Sequence, residues 1–274
     1  MKYKIIFNLL FIFLVNFLDA NISGTKKSVD SQYNQYLFFN GLYVMLDEEL
    51  KVFLSFKARE EFLLVPFGVI LNKLNYFFQD QIPSLRKPLE TKTISFYKNY
   101  FTPEEIKKLL DFYQTPAGTQ YYLANNESIR KMIIVSAIGL SLLNNESPSM
   151  DAKYFNPNLN EFLKVSGILE DIQSSFVYTL ERSQQMEGRQ LSEEEATLLK
   201  KKFEAMSIKP FLKLSDKDLK EIIKFFKTNI AKEMVVKERK IIEVEDKDDV
   251  FGYDDYEKRA LESFMLFLKN NLSH

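Results

Sequence analysis

The stretch FTPEEIKKLLDFYQTPAG, residues 101 to 118, places two Thr-Pro steps 13 residues apart around an amphipathic run. Proline inside a helix costs about 3 kcal/mol, but at the first helical position its missing N–H has no partner to lose. Each Thr-Pro therefore marks a helix start. Thr102 suits the N-cap, Pro103 the first position, and Glu105 completes a capping box three residues after the cap. Ile106, Leu109, Leu110 and Tyr113 then fall on one helical face, with Glu104, Lys107, Lys108 and Asp111 opposite. Thr115 and Pro116 begin a second helix, so the chain must turn a corner between the two. Gly118 keeps the first turn of that helix thin, which predicts a close crossing with a neighbouring helix, a mild Gly118→Ala and an overpacked Gly118→Leu.

The pattern returns 113 residues later as LSDKDLKEIIKFFKTNIA, Leu214 to Ala231, where Ser215 aligns with Thr102, Phe225 and Phe226 with Phe112 and Tyr113, and Thr228 with Thr115. Upstream, YLFFNGLYVML (Tyr36 to Leu46) parallels FLKVSGILEDI (Phe162 to Ile172), with Gly41 opposite Gly167. An internal repeat is expected. Periodicity predicts helices over 31–46, 48–62, 65–81, 88–100, 103–113 and 116–144, then 159–187, 193–206 behind a Ser192 to Glu195 capping box, 216–227, 229–242 and 255–271. No run alternates as a strand would. With only 8 Gly and 8 Pro against 25 Phe, the chain reads as an all-α, multi-helix bundle built from two diverged copies of a helical unit. The expected division is a signal peptide at 1–20, a first repeat at 21–146, a connector at 147–158, a second repeat at 159–242, an acidic connector at 243–254 and a C-terminal helix at 255–274.

The opening residues MKYKIIFNLLFIFLVNFLDAN carry two lysines, a mainly apolar run from Ile5 to Leu18 interrupted by Asn8 and Asn16, and the small residue Ala20. This is a signal-peptide pattern, and a bilayer-spanning helix would need ~20 apolar residues. The mature chain is expected to start at Asn21, to reach the periplasm or the outside, and to hold no transmembrane helix. An uncleaved anchor is the alternative. With no cysteine, an exported chain must be stabilised by core packing without disulfides.

The Thr-Pro stretch resembles the signature of the bacterial domain of unknown function 2059 family, at Thr102, Pro103, Glu104, Glu105, Phe112, Tyr113, Thr115, Pro116 and Gly118. The second copy departs from it, with Asn229 and Ala231 in place of Pro116 and Gly118. The resemblance implies an exported, helical protein and assigns no activity.

Histidine occurs once, at the terminal His274, and cysteine not at all. A His-based triad, a His-ligated metal, thiol chemistry and structural zinc all lack their residues. Ser95 to Lys98 and Ser23 to Lys26 fit Ser-x-x-Lys spacing without its companion motifs. On a calcium-loop template Asp246 and Asp248 fit, but Val250 takes a ligand position and Gly252 arrives one residue late. No cofactor and no metal are expected. The aromatic pairs Phe77-Phe78, Tyr121-Tyr122 and Phe225-Phe226 suit either core packing or an apolar pocket.

A net charge of −1 gives no global basic excess of the kind nucleic acid attracts, so any electrostatic function is local. Lys217, Lys220, Lys224 and Lys227 recur on one face, opposite Leu219, Ile222, Ile223 and Phe226. They are the candidate binding residues for an anionic partner, lipid or envelope polymer, with the acidic segment after residue 243 as a possible internal partner. The expected function is an exported binding protein of the cell envelope without catalysis. A carrier of an apolar ligand and a carboxylate-dependent glycoside hydrolase are the alternatives.

Overall fold

The structure, a computed structural model, describes residues 28–145, 156–187 and 190–272. The signal peptide at 1–20, its cleavage point, Ser23 to Lys26, most of the 147–158 connector and His274 lie outside the described residues. Among the described residues there are twelve α-helices and no strand, so the all-α, multi-helix architecture is as read. In chain order these are α1 (Val29–Phe39), α2 (Leu42–Glu61), α3 (Phe67–Asp80), α4 (Ile82–Tyr97), α5 (Pro103–Tyr113) and α6 (Pro116–Ile138), then α7 (Pro157–Ser166), α8 (Ile168–Glu187), α9 (Glu193–Ile208), α10 (Asp216–Phe226), α11 (Asn229–Asp248) and α12 (Tyr253–Leu272). Short 3-10 helices follow α6 and α9, at Leu140–Asn145 and Lys209–Lys213.

The 102–118 stretch folds as its spacing dictates. Thr102 Oγ1 accepts from the Glu105 N–H at 3.3 Å, and the Glu105 carboxylate accepts from the Thr102 N–H at 2.8 Å, closing the capping box. At the corner, the Thr115 hydroxyl donates to the Phe112 carbonyl at 2.7 Å and accepts from the Gly118 N–H at 3.0 Å, so one oxygen ties the end of α5 to the start of α6. Thr228 does the same between Phe225 and Ala231, at 2.6 and 3.3 Å.

Several boundaries differ from the periodicity reading. The runs over 31–46 and 159–187 each break at a glycine. Gly41 (φ 93°) and Gly167 (φ 77°) take the left-handed conformation that other residues avoid, and each is followed by a 20-residue helix. A Cβ on Gly41 would lie 2.8 Å from Ile129 of α6, and one on Gly167 2.7 Å from Arg239 of α11. The helix expected to start at Pro88 starts at Ile82 and runs through that proline, because Ile82, on the near side of Pro88, shares one buried face with Leu89, Thr93 and Tyr97. The acidic segment is largely helix: α11 runs to Asp248 and α12 opens at Tyr253, so the expected 243–254 connector shrinks to a short turn.

Helix α6 is the centre of the packing. Its buried positions include Ala117, Gly118, Ala124, Ser128 and Ala137, small residues that let α2, α5, α8, α9 and α10 approach it from several sides. The rings of Phe112 and Phe225 stack face to face at 3.7 Å and 2°, and Tyr121 meets Phe226 edge-on at 5.4 Å. The last helix crosses back to the first half of the chain, where α12 packs on α2, α3 and α4 and Phe264 meets Phe77 at 5.0 Å.

Candidate functional site

Helix α10 presents the lysine stripe. Ser215 caps it by accepting from the Asp218 N–H at 3.1 Å, and Leu219, Ile222, Ile223 and Phe226 are buried against α6 and α7. That fixes the rotation of the helix, and Lys217, Lys220, Lys224 and Lys227 all face solvent. Lys227 pairs with Glu161 of α7. The other three have no ionic partner among the described residues. Asp216 and Glu221 border the stripe, and Asp216 accepts a hydrogen bond from Asn156. Among the described residues the acidic segment forms no ion pair with this face: Glu243 pairs with Lys247 on its own helix at 2.8 Å, and α12 lies against α2 to α4.

The motif residues Thr102, Pro103, Glu105, Thr115, Pro116 and Gly118 form the α5–α6 corner. Gly118 is tight for a reason other than the expected crossing of two helix bodies. A Cβ there would lie 2.0 Å from the carbonyl oxygen of Phe112, at the end of the preceding helix. Glu105 does more than cap, since its second oxygen accepts from Lys237 Nζ of α11 at 2.6 Å. Burial raises its proton affinity, but the hydrogen bonds from Lys237 and Thr102 outweigh that and hold the carboxyl below its ordinary value.

Glu238, next to Lys237, was not singled out by the sequence reading. It lies in step with the buried Ala231, Met234 and Ile241, a carboxylate on an apolar helix face, and that spacing is the signal that could have found it. As a residue it is half-buried, but its carboxylate is enclosed. Tyr36 and Tyr97 donate to it at 2.6 and 2.7 Å, and the Asn40 amide at 3.1 Å. Burial raises its proton affinity above the ordinary glutamate value, and the three hydrogen bonds only partly offset this. The Tyr36 and Tyr97 hydroxyls are in turn raised well above the usual tyrosine range, by burial first and by the Glu238 charge second.

The aromatic pairs named from the sequence take part in ring-to-ring packing, Phe77 on Phe264, Tyr121 on Phe226 and Tyr122 on Phe39. A groove of about 190 Å³ between α4 and the start of α12 is lined by Leu89, Lys92, Phe251, Asp255 and Arg259, with Arg259 paired to Asp255 at 3.1 Å. Among the described residues, no group of three or more His, Cys, Asp or Glu could hold a metal ion, and no helix is long and apolar enough to cross a membrane.

Residues 87–139 match the model of a family described as an uncharacterized protein conserved in bacteria (DUF2059). The matched segment, much less than half of the chain, holds most of α4, the whole Thr-Pro corner and α6, and it bears out the resemblance carried by Thr102 to Gly118. No curated protein matches the chain, and no solved structure does.

Proposed function

We propose that this chain is an exported, non-catalytic binding protein of the bacterial cell envelope, built from two diverged helical units, and that α10 carries its contact with an anionic partner. The reading rests on one observation: four lysines share the solvent face of a helix whose opposite face is buried. Like charges so close repel one another, and an anionic surface laid across them relieves that repulsion. Export draws support from the Lys-rich, apolar, Ala20-ended N-terminus. Duplication draws support from the shared corner chemistry of Thr115 and Thr228 and from the stacking of the aligned Phe112 and Phe225.

A basic residue near an anionic membrane contributes about 1 kcal/mol, screened beyond ~8 Å at physiological salt, so binding is weak and salt-dependent. The variant with Lys217, Lys220, Lys224 and Lys227 all replaced by Gln keeps its thermal melt and loses sedimentation with phosphatidylglycerol vesicles at low salt. A soluble polyanion that competes with the vesicles indicates an envelope polymer; vesicle binding without such competition indicates headgroups. Equal pelleting of wild type and variant would reject the stripe as the contact.

A further inference from the structure

We propose that the corner joining α2 to α3 is a membrane-contact tip, which places Leu63, Leu64 and Phe67 in the headgroup and acyl boundary of an anionic bilayer. It stands apart from the lysine stripe and does not rest on it.

Residues 62–71 read FLLVPFGVIL, without one charged or polar side chain. Such a run inside a domain is ordinarily buried, and a helix-to-helix corner is ordinarily polar. Here Leu63 is 80% and Leu64 99% exposed, and Phe67, Val69 and Leu71 are exposed as well. Ile70 is buried, and Phe62 and Val65 pack against the core. The base of the corner is thus fastened while its tip stands out. Nothing lies within 4 Å of the Cβ position of Gly68.

Shape and charge together select the occupant. A protein partner must offer a matching pocket and bury on the order of 800 Å² per side. This tip is a small apolar projection, with Leu63 and Leu64 nearly fully exposed, and fluid lipid closes around a projection without a preformed pocket. The run is also too short to span a bilayer and has the length of an interfacial segment. The nearby acids are neutralised, Glu60 by Lys57 at 2.9 Å and Glu61 by Lys269 at 3.9 Å. Arg59 lies over the Phe67 ring at 5.5 Å, and neither it nor Lys73 pairs with a carboxylate among the described residues. Arg59 therefore stands at the apolar tip and Lys73 two residues beyond the run, cations that lipid phosphates can meet when Leu63 and Leu64 enter the acyl boundary.

The chain contains no tryptophan, so Leu64→Trp in the full-length protein gives a fluorophore that reports this corner alone, whatever the N-terminal apolar run does. Phosphatidylglycerol vesicles shift its emission to the blue, and lipids brominated on the upper acyl chain quench it. The shift survives replacement of the four α10 lysines by Gln, is lost when Leu63→Asp is added, and weakens with Arg59→Gln and Lys73→Gln. Emission that stays unshifted in protein that sediments with the vesicles overturns the proposal. So does a blue shift that grows with protein concentration in the absence of lipid, which would assign the tip to a second copy of the chain.

Discussion

Glu238 stands where the period of α11 calls for an apolar side chain, and three neutral donors meet its oxygens. Its proton is held more tightly in the folded chain than in the unfolded one, because burial penalises the charge. The sign follows by linkage. A raised carboxyl contributes stability that is fully present below its ordinary value of 4.5 and is lost as pH rises through the folded value. Glu238→Gln keeps an oxygen for Tyr36 and an amide that the Tyr97 hydroxyl can accept from, and it carries no charge. The stability of the Gln variant relative to wild type should therefore rise across that window. Glu238→Leu should share that pH trend, since it too removes the titrating group, but should lie below the Gln variant at every pH, because it leaves buried donors unmet at about 1–3 kcal/mol for each one. Denaturant melts across the acid-to-neutral range check both, and a Gln-minus-wild-type difference that is flat with pH would count against a strained carboxylate.

The Thr-Pro corner carries the next prediction because its geometry belongs to two helices at once. Alanine occupies the aligned position in the second corner, Ala231, fully buried. At Gly118, however, an added methyl would press into the Phe112 carbonyl at 2.0 Å, and backbone cannot rotate away as a side chain would. Gly118→Ala should thus destabilise by roughly 1–3 kcal/mol, where sequence alone suggested a mild effect. A thermal melt reads it, and an unchanged melt would show that α5 and α6 separate freely. Caps and corners of this kind were readable because they are local, a side chain answering a backbone group three residues away. The breaks at Gly41 and Gly167 were not, since the apolar period continues through both and only the positive φ and the close approach of α6 and α11 reveal them. Pro88 misled for the opposite reason: a strong local start signal was overridden by the buried face that Ile82 and Leu89 share across it. The lysine stripe of α10 was readable from spacing. The Glu238 cluster needed Tyr36, Asn40 and Tyr97, which stand far away in the chain and share no local pattern with it.

At the scale of the whole molecule, the division into two repeats and a C-terminal helix expected from the sequence leaves out how the two halves of the chain depend on one another. Tyr256, Ala260, Phe264 and Leu268 of α12 are fully buried, and they cover α2, α3 and α4 near the other end of the chain. Helix α6 of the first half sits against α8, α9 and α10 of the second, and the stack of Phe112 on Phe225 joins the two. Neither half encloses its own core, because burial of its apolar faces requires the other, and a chain with such shared contacts should unfold as one cooperative unit. Residues 21–146 and 159–274 produced separately should then show helical far-UV dichroism without a cooperative melt, and should bind a dye for exposed apolar surface. Mixed, they should recover one transition and lose the dye, as α12 closes over α2 to α4 and the two phenylalanines stack. Two pieces that each melt cooperatively alone would show instead that each half holds a self-sufficient core, with α12 and the Phe112–Phe225 stack as late additions to it.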